Sequence, residues 1–163
     1  MSAWAEVLDL RPVRISDPDA RRLVDDVQAE YVVRYGGPDA TPIDPAMFDP
    51  PAGAFFVGYL AGVPVAMGGW RFRDDVVAFG RHRTAEVKRM YVVPAHRGNG
   101  YARAVLAHLE ATARAAGADV MVLETGLRQP EAIGLYSSAG YLPVDGFGYY
   151  RCAPESRYYG KGL

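Results

Sequence analysis

The sequence predicts a single mixed α/β domain, and three observations carry that expectation. Its 163 residues are the length of one domain able to bury a sizeable core. Its apolar pattern alternates in some stretches and recurs at three- and four-residue steps in others, so strands and helices share one chain. The passage from Thr84 to Thr125 reads strand, helix, strand, which implies a right-handed crossover joining parallel strands.

The elements follow in order. "EVLDLRPVRI", residues 6–15, alternates apolar and polar positions, as a strand does. In the next segment Ser16 or Asp17 is a cap, Pro18 fits a first turn and Gly36-Gly37 stops the helix. Leu23, Val27, Tyr31 and Tyr35 fall at four-residue steps on one face of it. The proline- and aspartate-dense stretch 38–53 is a loop with a short helical turn near Pro45–Phe48. Two apolar runs flank Ala61-Gly62 and predict a hairpin. Residues 74–83 read as a loop, and Thr84–Val93 as a strand stopped by Pro94. From Ala102 to Ala116 the apolar residues Ala102, Val105, Leu106, Leu109, Ala113 and Ala116 recur at helical steps, and Gly117 ends the run. "DVMVLET" is a continuous apolar run of the kind found in buried strands. Residues 129–140 form a short helix between Pro130 and Gly140, and "YLPV" and "SRYYGKGL" read as final strands around a loop.

Composition narrows the function classes. A net charge of −1 gives no electrostatic footprint for nucleic acid or an anionic membrane. One cysteine, Cys152, excludes an internal disulfide framework and a cysteine-built zinc cluster. His82, His96 and His108 lack ligand-like spacing, so no metal is expected. The start carries Glu6 and Asp9 and does not read as a signal peptide. No window has the apolar length of a membrane span. The expectation is a cytoplasmic protein.

Chemistry enters at "RGNGYA", Arg97 to Ala102. Glycine weakens a helix, yet two glycines stand at the threshold of the best helix in the chain. A helix start leaves backbone N–H groups unpaired and adds partial positive charge. Glycines there let a ligand approach those groups, and Arg97 adds a fork of donors suited to phosphate. The physics favours a phosphate or pyrophosphate site, with a plain turn as the alternative. A Walker A loop is excluded because no Gly-Lys-Ser/Thr follows, and a dinucleotide fingerprint fails at Arg103, where a small residue is needed.

With its neighbours, this stretch resembles the GNAT-type N-acetyltransferase superfamily. That family's signature Gln/Arg-x-x-Gly-x-Gly/Ala is matched by Arg97, Gly100 and Ala102. A second signature, Asn-x-x-Ala-x-x-x-Tyr before a Gly-Tyr/Phe pair, is matched by Ala132, Tyr136, Gly140 and Tyr141. Gln129 stands at the asparagine position, which puts one side-chain contact to the cofactor in doubt. The resemblance implies a GNAT-like fold over residues 1–163, a mostly antiparallel sheet with a central splayed parallel pair flanked by helices. It implies acetyl-CoA as cosubstrate and no metal. Backbone groups at Met90, Tyr91 and Val92 would pair with the pantetheine arm like an added strand. The N–H groups of Arg97, Gly98, Asn99, Gly100, Tyr101 and Ala102 would hold the pyrophosphate.

Acetyl transfer to an amine sets two proton problems. An alkyl ammonium has a pKa of about 10 and must lose a proton before it attacks. The leaving thiolate must then be stabilised. By the resemblance, Tyr136 is the candidate acid and Glu86 the candidate base. Glu86 has a structural alternative, pairing with a cation such as Lys88 or Arg89. Glu124, His96 and Cys152 are weaker functional candidates. For the acceptor side, the helix face Leu23, Val27, Tyr31 and Tyr35 and the loop 36–53 are expected to form one wall by analogy with resembling folds, with Glu30, Tyr31 and Tyr35 as candidates for binding the amine and Glu124 as a second acid that could face it. Tyr149, Tyr150, Tyr158 and Tyr159 are candidates for the opposite wall or for a homodimer interface. The expected reaction moves the acetyl group to a primary amine of a small molecule or amino acid derivative. A protein N-terminus or lysine is the second enzyme reading, and a non-catalytic acyl-CoA sensor is the reading from another class.

Overall fold

Residues 6–127 and 129–163 are described by a computed structural model. The strands are β1 (Asp9–Pro12), β2 (Gly53–Leu60), β3 (Val63–Phe72), β4 (Thr84–Val92), β5 (Val120–Gly126), β6 (Leu142–Pro143) and β7 (Ser156–Gly162). The helices are α1 (Pro18–Tyr35), α2 (Tyr101–Ala115) and α3 (Pro130–Ser138), with 3-10 turns at Pro45–Phe48 and Pro94–His96. The described residues form a seven-stranded sheet in the order β1-β2-β3-β4-β5-β7-β6. Only β4 and β5 pair in parallel; the other neighbours are antiparallel. Residues 1–5, at the head of the segment read against a leader, lie outside the described residues.

Local chemistry explains most boundaries. The Asp17 carboxylate caps α1 by accepting from the Asp19 N–H, and Gly36 closes it in the left-handed conformation. Ala61 and Gly62 both have positive φ, 47° and 80°, the geometry that joins β2 to β3 with the natural sheet twist. The first strand is shorter than its alternation predicts, Asp9–Pro12 rather than residues 6–15. It is an edge strand paired with β2 up to Pro12, opposite Phe56, and the Val13 N–H still donates to the Phe55 carbonyl at 2.9 Å; proline is tolerated there because an edge strand can turn its missing N–H away from the ladder.

Two cores lie on opposite faces of the sheet. One packs Val105, Leu106, Leu109 and Ala113 of α2 against Ala66, Trp70, Ala85, Val87, Met121 and Leu123. Burying each of the larger aliphatic side chains contributes about 1.5–3 kcal/mol. The other packs Leu23 and Val27 of α1 against Phe55, Val57, Met67 and Tyr91.

The centre of the sheet is irregular in two ways. The β3–β4 register shifts between Met67 and Gly69, and Arg89 stands at φ 57°. This is a bulge in β4 held in a conformation costly for a non-glycine residue. The β4–β5 ladder has only three matched positions, Thr84↔Val120, Ala85↔Met121 and Glu86↔Val122. Beyond them the strands diverge, so the β5-facing edge of β4 from Val87 to Val92 has no strand beside it.

Candidate active site

The divergence of β4 and β5 opens a cleft with two compartments. The larger, about 670 Å³, is a groove lined by Met90, Tyr91 and Val92 of β4, by the turn before α2, and by α3. The smaller, about 260 Å³, is lined by Lys88, Arg89, Glu124, Gly126 and Ser156 at the sheet, and by Tyr31, Tyr35, Asp39 and Tyr150 above it. Tyr31 and Gln129 line both and mark where they meet.

The groove is suited to a long anionic ligand. Its β4 wall offers unpaired backbone edge to an extended chain. Gly98 and Gly100 stand at φ 82° and 81°, and an added Cβ at either meets nothing within 4 Å. Conformation rather than space therefore calls for glycine at both positions. Gly100 precedes α2 with no side-chain cap, so the N–H groups of Tyr101, Ala102 and Arg103 in the first turn have no acceptor within the helix. Arg97 and His96 face the same space. The donor set fits the pyrophosphate and pantetheine arm of a CoA ester.

Several predicted residues sit differently from expectation. Glu30, expected on the acceptor side, lines the groove; it accepts from Arg97 at 2.7 Å and pairs with Arg34 at 2.9 Å. The geometry of α1 explains this, because Glu30 and Arg34 are one turn apart on the side facing the α2 turn. Arg97 is further fixed by its Nε donating to the Val92 carbonyl at 3.0 Å and by the Tyr91 ring 5.5 Å away. The Asn99 amide turns back to donate to the His96 carbonyl at 3.2 Å. The Gln129 amide donates to the Tyr35 hydroxyl at 3.1 Å. An added Cβ at Gly126 would stand 1.9 Å from that hydroxyl, so glycine at the end of β5 makes the Tyr35 position accessible.

The two sheet carboxylates have different surroundings. Glu86 is 4% exposed and ion-pairs with both Arg71 and Arg73, at 3.1 and 2.9 Å. Its partners are not Lys88 or Arg89, because Arg71 is its cross-strand neighbour in the β3–β4 register. It lines neither compartment. Glu124 faces the smaller compartment and accepts from the Ser156 hydroxyl at 3.1 Å. Burial pushes its carboxyl above the ordinary value, with Lys88 and Ser156 opposing.

Tyr136 is buried in the wall of the groove, its ring 5.8 Å from that of Tyr141. Burial, then Tyr31 and Glu124, holds its hydroxyl well above the usual phenol value. It is therefore a proton-bearing donor at neutral pH. Of the late tyrosines, Tyr150 lines the smaller compartment and accepts from the Ala40 N–H at 2.8 Å. Tyr149 is exposed, Tyr158 packs on Phe147, and Tyr159 packs against the α2-side core.

The loop after α1 supplies residues that sequence reasoning did not single out. Asp39 ion-pairs with Arg89 and accepts from Thr41, while its N–H donates to Gln28 at 2.8 Å. Burial alone would raise the Asp39 carboxyl; Lys88, Thr41 and Arg89 together lower it. The dense proline–aspartate composition marked a loop but gave no sign of which aspartate turned inward. Among the described residues, no group of three His, Cys, Asp or Glu is arranged to hold a metal ion. No helix among them is long and apolar enough to cross a membrane.

Comparison with known proteins gives the following. Residues 20–141 match the profile of the Acetyltransferase (GNAT) family. An IAA acetyltransferase from Azospirillum brasilense is 42% identical over 78 residues, covering 48% of this chain and 51% of that protein. The chain thus spans about half the length of the curated relative it matches. A Klebsiella pneumoniae protein assigned as an acyl-CoA N-acyltransferase superposes with a TM-score of 0.77 at 25% identity, covering 97% of this chain and 99% of that one. The GNAT domain of PAT from S. lividans has the same fold, with a TM-score of 0.72 at 23% identity over 96% of this chain and 90% of that one.

Proposed function

Since the chain belongs to the GNAT acetyltransferase family, we propose that it transfers the acetyl group of acetyl-CoA to the primary amine of a small molecule or amino acid derivative. One observation carries the reading: a long anion-suited groove and a smaller compartment that presents Glu124 meet at the splayed β4–β5 pair, sharing Tyr31 and Gln129. A volume of about 260 Å³ suits a small acceptor better than a folded chain. The relative described as an IAA acetyltransferase also favours a small-molecule acceptor.

Bound acetyl-CoA supplies the acetyl group as an activated thioester. The protein's part is positioning and proton handling. The first-turn N–H groups of α2 and Arg97 hold the phosphates, and the free edge of β4 at Met90–Val92 aligns the arm. Glu124 takes the proton from the acceptor ammonium, because it faces the compartment and its raised pKa makes it a stronger base than an ordinary carboxylate. The role expected of Glu86 moves to Glu124: a buried carboxylate shared by two arginines and outside the lining of both compartments is poorly placed for that proton. The Tyr136 hydroxyl holds a proton at the groove wall, available to the leaving thiolate.

The test is thiol release from acetyl-CoA across a panel of amines, amino acids and peptides. Turnover confined to small amines supports the reading. Turnover on peptides alone moves the acceptor to protein. Stabilisation by CoA with no turnover on any acceptor would make the chain a sensor.

A further inference from the structure

The acceptor compartment contains a cation that the steps above do not use. Lys88 lines it and is 9% exposed. Among the described residues it makes no hydrogen bond and no ion pair within 4 Å. Its stem is buried in the sheet while its ammonium opens onto the compartment, an unpaired cation placed where a ligand's anion would meet it. The neighbouring cations have carboxylate partners: Arg71 and Arg73 pair with Glu86, and Arg89 pairs with Asp39 through Nη1 while its Nε is unpartnered. Lys88 senses Asp39 and Glu124 through space but pairs with neither.

Its place in the sheet is specific. Glu86 and Val122 are the last matched pair of β4 and β5. Lys88 and Glu124 each stand two residues further on, so both project to the same face from equivalent positions on the diverging strands. A cation and a raised-pKa carboxylate thus flank the mouth of the cleft from opposite strands. A molecule spanning them presents an anion to Lys88 and an ammonium to Glu124.

We infer that the acceptor is a zwitterion: an amine that also carries a carboxylate, held by Lys88 while Glu124 receives the ammonium proton. This rests on reading the smaller compartment as the acceptor site. A carboxylate fits better than a phosphate, because one lysine is a single point charge and Glu124 on the facing strand repels a dianion. A polyamine or a protein lysine fits less well, since neither brings an anion and a second ammonium would face Lys88. Tyr31, Tyr35 and Tyr150 give the remaining part of the acceptor an aromatic wall.

Matched acceptors test this: the twenty common amino acids and their primary amides, which keep amine and side chain and remove the carboxylate charge. kcat/KM is measured by thiol release and referred to the unprotonated amine. The native protein is expected to prefer the best acid over its amide by about tenfold or more, the worth of one charge-assisted hydrogen bond. Lys88→Met brings that ratio toward one, and Lys88→Arg retains much of it. Lys88→Met also melts close to the native protein without ligand, since Lys88 makes no hydrogen bond or ion pair among the described residues whose loss would destabilise the fold. A ratio near one in the native protein overturns the inference, as does a ratio unmoved by Lys88→Met. If neither series turns over, the function reading fails, and the inference is then judged by binding. N-acetyl amino acids and their amides are titrated into the CoA-saturated protein and followed by NMR. Carboxylate-dependent binding lost in Lys88→Met upholds it; binding indifferent to carboxylate or to Lys88, or no binding, overturns it.

Discussion

Glu86 and Glu124 stand on neighbouring strands and carry the same charge, yet their partners give them opposite tasks. Glu86→Gln leaves Arg71 and Arg73 without their shared carboxylate, a loss of about 3 kcal/mol for a buried pair. The melting temperature is expected to fall by roughly 6–12 °C, while kcat stays within a few-fold. Glu124→Gln is expected to do the reverse, lowering kcat/KM by about 100-fold or more with little effect on melting. Because burial raises the Glu124 carboxyl, native kcat/KM should climb with pH through a limb above the ordinary carboxylate range, and that limb should vanish in the glutamine variant. A retained limb would remove Glu124 from the base role. Tyr136→Phe keeps the ring packing on Tyr141 and deletes the donor, so kcat should drop at least about tenfold with unchanged CoA affinity; a full kcat, with chemistry rate-limiting, would end the acid assignment. Glu30 holds Arg97 by a 2.7 Å ion pair in the groove where phosphates are expected. Glu30→Gln frees Arg97 and removes a negative charge, so calorimetry should show several-fold tighter CoA binding.

At the scale of elements, the turn into α2 has a conformational reason that its composition only hints at. Gly98 and Gly100 have open space around them but positive φ. Gly100→Ala should therefore cost about 1–2 kcal/mol of backbone strain and weaken CoA binding. Gly100→Asn should recover part of both, since asparagine tolerates the left-handed region better. Equal losses in the two variants would mean that bulk, not conformation, is the constraint. At the β4 bulge the constraint is space instead. Gly68 lies opposite it, and a Cβ there would stand 2.9 Å from Val105 Cγ1. The missing side chain lets α2 press against the irregular strand that carries the unpaired edge.

Across the whole molecule, one wall of the smaller compartment is set by the loop after α1 docking onto the bulge through Asp39 and Arg89. The Asp39 carboxyl is lowered in the folded protein. The stability it contributes is therefore fully present above the unfolded value of about 4 and is lost as pH falls through the folded one. Denaturation midpoints measured at descending pH should show Asp39→Asn less sensitive to acid than the native protein. An identical acid dependence would show that the docking contributes nothing to global stability. The fold that makes this docking possible was legible in part. The crossover from Thr84 to Thr125 and the two glycine-ended helices follow from periodicity and punctuation. The edge strand β1 came out shorter than its alternation, because apolar alternation does not show how far a partner strand runs beside it.

Residues whose neighbours lie close in sequence were set by the sequence itself. These include the cap at Asp17, the hairpin at Ala61-Gly62, the glycine turn before α2, and the family to which the two signatures point. Local backbone energetics and side-chain spacing decide such features, and both are written along the chain. The tertiary structure alone decided which carboxylate meets a cavity and which meets two arginines. It also turned Glu30 toward the larger groove and left Lys88 without an ion-pair partner among the described residues. Glu86 and Glu124 look alike in sequence because ion pairing and burial depend on register across strands and on a loop some fifty residues away in sequence, Asp39 against Arg89. Charge in a folded protein is read through its surroundings, and those exist only once the strands have paired and then parted.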